Sequence, residues 1–298
     1  MSMLVLGSIA LDTIETERGA ARECLGGSAS HASLAASYFV KPRVVGVVGE
    51  DFPSDYRSFL SSRVDASELA TLPGKTFRWH GFHSLASGET ISRLTELNTY
   101  EQFHPRLSER TARASHVLLG NIDPTLQLHV LDQLTSPGVV ACDTMSLWID
   151  IAKDKVLEVM RRADIFFINE QESYELTGRD DVIQAGADML SRGAKRVIIK
   201  RGSQPAKLFT EAGAFEVSTI HDVDVVDPTG AGDNFAGALM GFLASKQVTA
   251  ADPSHVIRGM QYGSAVASYA IERFGADAHK ELALDKIEER LSIISRAG

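Results

Sequence analysis

Residues 227–235 read Asp-Pro-Thr-Gly-Ala-Gly-Asp-Asn-Phe, and they hold the densest chemistry in the chain. A β-branched run (Val223, Val225, Val226) precedes them, and Phe235, Ala238, Leu239, Phe242 and Leu243 follow at helical spacing. That pattern predicts a strand-to-helix turn. Gly230 and Gly232 let the backbone curl so that N–H groups from Gly230, Ala231, Gly232 and Asp233 converge on one point. A helix start adds unpaired N–H groups and a partial positive charge. The combination attracts phosphate oxygens. A carboxylate in such a turn, Asp233, would repel a phosphate already bound there. It is better suited to taking the proton from a hydroxyl that attacks the phosphate, while the amides hold the developing charge. The plainer alternative is a carboxylate well placed at a helix N-terminus, beside glycines that only turn the chain.

Other residues fall where a parallel sheet would present them. Leu4–Ile9 reads as a buried strand, and Asp12 follows its end, where open sheets of this kind bind ligands. A carboxylate there accepts from sugar hydroxyls or is simply a turn aspartate. Gly26-Gly27 opens an Ala-rich helix through Phe39 that carries His31, and paired glycines before a helix permit close backbone approach to a ligand. Gly120-Asn121 and Asp143 also follow strand ends. Asn169-Glu170-Gln171-Glu172 reads as a capped helix start with carboxylates in its first turn. Lys200-Arg201-Gly202 follows another strand; a phosphate contact and a surface role are both open for its two cations.

Taken together, these residues resemble the ribokinase/PfkB family of sugar and nucleoside kinases. The anchors are Asp12, Gly26-Gly27, the Val-Gly-Val-Val-Gly-Glu-Asp run at 45–51, Asn169-x-x-Glu172 and the 227–233 string. The resemblance implies that Asp233 is the catalytic base and that Gly230, Ala231 and Gly232 complete its anion hole. It places the acceptor on Asp12, Gly26, Gly27 and His31, with Asn121 and Asp143 as further candidates. Asn169, Lys200, Gly202, Asp227 and Thr229, together with Gly230 and Gly232, would face the nucleotide, and Glu172 would organise Mg²⁺ through water. One position departs from the pattern: His31 stands where the family places an asparagine that bonds a substrate hydroxyl. The implied cofactors are ATP and Mg²⁺; no clear monovalent-cation pattern follows Phe274-Gly275-Ala276, so K⁺ dependence stays open.

The elements that must position these residues alternate. Strands are expected at 43–48, 116–120, 138–143, 164–168 and 195–200. Helices are expected from Pro53 to about 62 and at 124–134, 149–161, 255–273 and 284–295. Such alternation predicts a mainly parallel sheet with helices on both faces. Two other stretches differ. Thr13–Glu23 is polar, and 76–84 with 89–94 forms a hairpin pattern around Ser87-Gly88; a second hairpin is expected at 207–217. The family resemblance implies one kinase domain over 1–298, α/β and ribokinase-like, with lid segments at about 12–24 and 74–100 inserted as a small β-sheet. Phe77 and Trp79 would cover a ligand face, pack the lid, or line a homodimer contact through it.

The chain has 298 residues, 44% of them hydrophobic, and a formal charge of −9, which argues against nonspecific nucleic-acid binding. Two cysteines, Cys24 and Cys142, are too few for a disulfide framework and point to a reducing, cytoplasmic setting. No run is long enough to span a membrane, and 3–7 is too short for a signal peptide. A dinucleotide oxidoreductase fits poorly, because no G-x-G-x-x-G follows the first strand. The expected activity is transfer of the ATP γ-phosphoryl group to a hydroxymethyl group of a sugar or nucleoside. The alternative is a nucleotide- or sugar-binding regulator on a kinase scaffold.

Overall fold

Runs such as Leu4–Leu6, Val44–Val48 and Ile165–Ile168 are apolar at every position, so a sheet made from them must be covered on both faces. The computed structural model, which describes residues 2–297, shows how. Its strands in chain order are β1 (Met3–Leu6), β2 (Ala10–Thr16), β3 (Gly19–Gly26), β4 (Arg43–Gly49), β5 (Asp65–Leu72), β6 (Phe77–His83), β7 (Thr90–Glu96), β8 (His116–Leu119), β9 (Val139–Cys142), β10 (Ile165–Asn169), β11 (Val197–Lys200), β12 (Ala206–Thr210) and β13 (Gly213–Val217). Its helices are α1 (Ser28–Ala36), α2 (Ser54–Arg63), α3 (Glu109–Ala112), α4 (Pro124–Leu131), α5 (Ser146–Ile151), α6 (Lys153–Arg162), α7 (Glu170–Thr177), α8 (Val182–Ser191), α9 (Ala231–Lys246), α10 (Pro253–Ala270) and α11 (Leu284–Ala297).

Nine strands form one sheet in the order β13-β12-β11-β10-β9-β8-β1-β4-β5. The stretch from β11 to β5 is parallel, and β12 and β13 add antiparallel at one edge. Successive side chains go to opposite faces: Val5 and Ile198 pack with α1, α9 and α10, whereas Leu4, Leu6, Val197 and Ile199 pack with α4, α6 and α8. The carboxyl ends of β1, β8, β9, β10 and β11 therefore share one edge, and every candidate from the sequence lies on it or beside it.

The two polar segments pair with each other. β3-β2-β6-β7 is a separate four-stranded sheet in which β2 runs parallel to β6 and the outer pairs are antiparallel. One face of β7 is left in solvent, with Ile91 and Leu94 about half exposed.

Some expectations need correction. Among the described residues no strand leads directly into the 227–233 turn. The Val226 and Asp227 N–H groups donate to the Ile271 carbonyl at the end of α10 instead of to a ladder, so β-branching there serves a loop packed on a helix end. The helix expected at 149–161 is two helices, because Ala152 leaves helical geometry (φ −144°, ψ 34°) and its carbonyl starts α6. α1 ends at Ala36, and only a loose turn continues to Phe39. β5 and α8 were not anticipated: β5 is a half-exposed edge strand with little alternation, and α8 carries a mid-helix Gly186 against which Phe209 packs. Among the described residues no helix is long and apolar enough to cross a membrane.

Candidate active site

The glycine turn is built as a tight loop that starts α9. Gly230 is left-handed (φ 72°, ψ 3°), and a methyl group on it would lie 2.5 Å from Cγ and Cδ2 of His31. Gly232 leaves room in the same way for the Lys200 ammonium, whose Nζ would be 2.8 Å from an added Cβ. The N–H groups of Gly232 and Asp233 lie in the first turn of α9, where no intrahelical acceptor exists. Asp227 braces the turn from behind. It is 1% exposed and accepts from the Thr229 and Gly275 N–H groups, both at 2.8 Å. Gly230→Ala is expected to destabilise the fold by about 1–2 kcal/mol from left-handed strain and to weaken acceptor binding as well, because the methyl displaces His31. Urea unfolding and the acceptor KM check the two effects separately.

Charges gather at this turn. Lys200 Nζ, at the end of β11, donates to Asp143 Oδ2 at 2.6 Å, at the end of β9; their side chains are 17% and 4% exposed. Burial, then the Asp143 carboxylate, push the Asp233 carboxyl up to about 7, against the pull of Lys200. Burial also pushes Glu172 up to about 7, again against Lys200. Lys200 itself is held above its ordinary value: burial works the other way, but Asp143, Glu172 and Asp233 outweigh it. A folded carboxyl with a raised pKa binds protons that the unfolded chain has already lost, so its contribution falls as pH rises from about 4 to about 7. His31 and His279, lowered by burial to about 4 and about 3, contribute with the opposite sign below pH 6.5. The Asp233 contribution is therefore best read as a difference. Asp233→Asn is expected to be more stable than wild type at pH 8 by on the order of 1–2 kcal/mol, less than the full shift because Asp233 keeps part of its surface. The gain should shrink towards zero at pH 4, as followed by urea unfolding at both pH values.

Asp12 and His31 stand at the second glycine turn. A methyl on Gly26 would sit 1.9 Å from Asp12 Oδ2, so only glycine leaves room for that carboxylate. Gly27 (φ 89°) lies against the Ser8 carbonyl, and Ser8 and Ser28 exchange N–H to hydroxyl bonds of 3.1 Å, which pin the start of α1. Burial, with Asp227 and Asp233 nearby, pushes Asp12 up to about 7, although the Gly27 N–H works against this. Asp12 Oδ1 and His31 Nε2 are both buried and have no hydrogen-bond partner among the described residues. Unmet buried groups of this kind cost about 1–3 kcal/mol each, a cost that a bound polyol would remove.

The remaining candidates are placed as follows. Asn169 and Glu172 form a reciprocal capping box at α7: Asn169 Oδ1 accepts from the Glu172 N–H, and Glu172 Oε2 from the Asn169 N–H, both at 2.8 Å. Asn121 Oδ1 accepts from Trp148 Nε1 at 3.0 Å. Gly202 (φ 57°) has open space beside it. Arg201 pairs with Glu170 instead of facing the turn. Phe77 packs on Tyr100 and Trp79 on His83.

Sequence reasoning passed over four further residues. His83, on β6, meets the Thr229 hydroxyl through Nε2 at 2.9 Å and so ties the small sheet to the glycine turn. Asn234 and His279, both fully buried, and half-buried Tyr38 form a row behind His31. No local pattern marks His83, His279 or Tyr38; only the fold brings them in. Asn234 lies inside the motif itself, where its polarity in an otherwise apolar helix was the available signal.

Among the described residues no group of three or more His, Cys, Asp or Glu is arranged to hold a metal by itself. The donors do suit an ion brought in with a nucleotide. Asp233 and Glu172 have raised pKa values because their charge is poorly solvated, and a divalent cation nearby favours the ionised forms.

A carboxylate, an ion-paired ammonium and a helix-start glycine turn thus share one edge, with two unpartnered buried atoms, Asp12 Oδ1 and His31 Nε2, at the adjoining turn. In comparison with known proteins, residues 3–282 match the profile of the pfkB family carbohydrate kinases. The chain belongs to that family. A cytidine kinase of Thermococcus kodakarensis is 30% identical over 249 residues, 82% of this chain and 88% of that one. The crystal structure of the Methanocaldococcus jannaschii nucleoside kinase, an archaeal member of the ribokinase family, covers 98% of this chain and 99% of its own at a TM-score of 0.78 and 22% identity. An E. coli protein solved with ATP and Mg²⁺ superposes over 98% of this chain and 99% of its own, at 0.78 and 21%. At these identities the structures show a shared ribokinase-like fold. As a pfkB family kinase, the protein is a phosphotransferase acting on a sugar or nucleoside.

Proposed function

We propose that this pfkB family kinase transfers the γ-phosphoryl group of ATP to the hydroxymethyl group of a nucleoside, with cytidine the first acceptor to try. The observation that carries the chemistry is the meeting of Asp233, Lys200 and Asp143 at the Gly230–Gly232 turn; the 30% identity to a cytidine kinase directs the choice of acceptor.

In this reading Asp233 takes the hydroxyl proton as the oxygen attacks the γ-phosphorus. The bond from that phosphorus to the bridging oxygen breaks, and its electron pair leaves with ADP. Amides from Gly230 to Asp233 and the Lys200 ammonium face the transferring group, whose negative charge they stabilise. Mg²⁺ bound with ATP would offset charge across the phosphates, and Glu172 would help hold it through water with the oxygen the capping box leaves over. Asn169, Asp227 and Thr229 shape the nucleotide side, and Gly202 leaves it open. Asp12, the Gly26-Gly27 turn and His31 hold the sugar; Asp143, ion-paired with Lys200, orients the ammonium, and Asn121 lies further along the edge.

The whole chain acts as one kinase domain, with the β3-β2-β6-β7 sheet as a lid that excludes water, an alternative phosphoryl acceptor. The exposed apolar residues of β7 suit a homodimer through that lid. A regulator without turnover would have no use for Asp233 held beside Lys200.

The test is ATP consumption with Mg²⁺, with and without K⁺, against ribose, fructose, adenosine, inosine and cytidine. Turnover with cytidine that is lost in Asp233→Asn supports the reading. Tight ATP binding without turnover of any acceptor would overturn it.

A further inference from the structure

The row of polar groups behind the glycine turn has no part in the phosphoryl transfer itself. Asn234 Nδ2 donates to the Gly230 carbonyl at 2.9 Å. A peptide carbonyl only accepts, so this bond decides which end of the amide faces it. Asn234 Oδ1 then faces His279 Nε2, 2.7 Å away, and His279 must carry hydrogen on that nitrogen. His279 is completely buried, and burial, helped by His31 and Arg63, keeps its ring neutral. Its Nδ1 is therefore bare and accepts from the Tyr38 hydroxyl at 3.0 Å. The second hydrogen of the Asn234 amide faces His31 Nδ1 at 3.4 Å. His31 Nδ1 is thus the acceptor. Its ring is neutral too, so its one hydrogen lies on Nε2, the atom left buried and unpartnered among the described residues.

We propose that Asn234, His279 and Tyr38 are positioning residues that lock His31 in its Nε2–H tautomer, so that His31 meets the acceptor sugar as a hydrogen-bond donor only. An asparagine at this position can offer either end of its amide; a locked imidazole cannot. The group it reads is an oxygen that accepts. A ribose hydroxyl satisfies this and can donate its own hydrogen bond to Asp12, which packs against Gly26 and whose Oδ1 has no partner among the described residues. The lock is a property of the free protein, whereas the donor role rests on the kinase reading above.

The lock is tested by ¹⁵N NMR of histidine-labelled free protein, with His31 assigned from the signals lost in His31→Asn. The expected result is the Nε2–H pattern in wild type and a shift away from it in Asn234→Ala and Asn234→Asp, both of which lose the donor that faces His31 Nδ1. Asn234→Asp keeps the shape of the side chain and loses only the donor, so it remains informative if Asn234→Ala folds poorly. An Nδ1–H or mixed pattern in wild type overturns the lock, whether or not any acceptor is turned over.

The donor role is tested by kinetics with cytidine, 2′-deoxycytidine and 3′-deoxycytidine. In the variants the KM for cytidine is expected to rise by the inverse of the Nε2–H fraction that NMR reads, about twofold for an even mixture and more where Nδ1–H dominates. The rise should vanish for the deoxycytidine that lacks the hydroxyl in question. An unchanged cytidine KM in a variant whose tautomer has shifted overturns the donor role. Absence of turnover by wild type with every acceptor would refute the kinase reading and leave the NMR result to decide the lock.

Discussion

Asp233→Asn is expected to lower kcat roughly 10²- to 10⁴-fold while leaving the KM for ATP nearly unchanged. The substitution keeps the shape of the side chain at the start of α9 and removes its charge and its capacity to take a proton. Because burial and Asp143 push the Asp233 carboxyl up to about 7, the wild-type kcat/KM should rise with pH through that region, as more of the base becomes available. The residual rate of the variant should lose this rise. Steady-state kinetics from pH 5.5 to 8.5 on both proteins check it, and a variant with full activity would remove Asp233 from the role of base. The same substitution is expected to stabilise the fold at pH 8. Opposite effects on rate and stability are the mark of a group kept for chemistry at a cost to folding.

Lys200→Met is expected to damage both. Removing the ammonium strands the Asp143 carboxylate, which is 4% exposed, and should lower stability by about 3 kcal/mol, the low end for breaking a buried pair, since Lys200 retains 17% of its own side-chain surface. It should also lower kcat on the order of 10²-fold, the effect of losing one electrostatic contact to the transferring group. The double variant Lys200→Met/Asp143→Asn separates the two. Relieved of its stranded charge, it should recover most of the stability and none of the rate. Recovery of the rate would show that Lys200 serves only to neutralise Asp143.

How much of this was legible in the sequence depends on how local the signal was. Gly230, Gly232 and Asp233 sit within four residues, and Gly26-Gly27 immediately precedes its helix, so turn chemistry and spacing were enough to find them. The apolar runs of β1, β4 and β10 announced a sheet covered on both faces. Val223, Val225 and Val226 misled because β-branching reports a preference for extended backbone; here the Val223 N–H turns back to the His221 carbonyl and the Val226 N–H goes to the Ile271 carbonyl, not to a neighbouring strand. Tyr38 and His279 are 241 positions apart, and neither belongs to a motif. His83 looked like one more residue of a hairpin until its strand was laid beside β2 and its ring reached Thr229. Asp143 was visible as a strand-end carboxylate, but its pairing with Lys200 depends on the spatial order of β9, β10 and β11.

The two glycine turns have α1 and α9 as their helices, and those helices touch backbone to backbone. A methyl on Gly237 would lie 2.1 Å from the Ala32 carbonyl oxygen, and one on Gly241 would lie 2.8 Å from the Ala36 Cα. Side chains can repack, but main chain pressed on main chain cannot slide without clashing. On the proposed reading, with the sugar at one of these turns and the phosphate at the other, the gap between them is a fixed gauge. Reactants brought to it arrive already spaced, which saves the entropy of finding that spacing by diffusion. The gauge also constrains how such a protein can change its diet. A bulkier or smaller acceptor has to be accommodated sideways, under the small sheet or around His31, because the distance from hydroxyl to phosphorus is set by two helices that leave no slack between them.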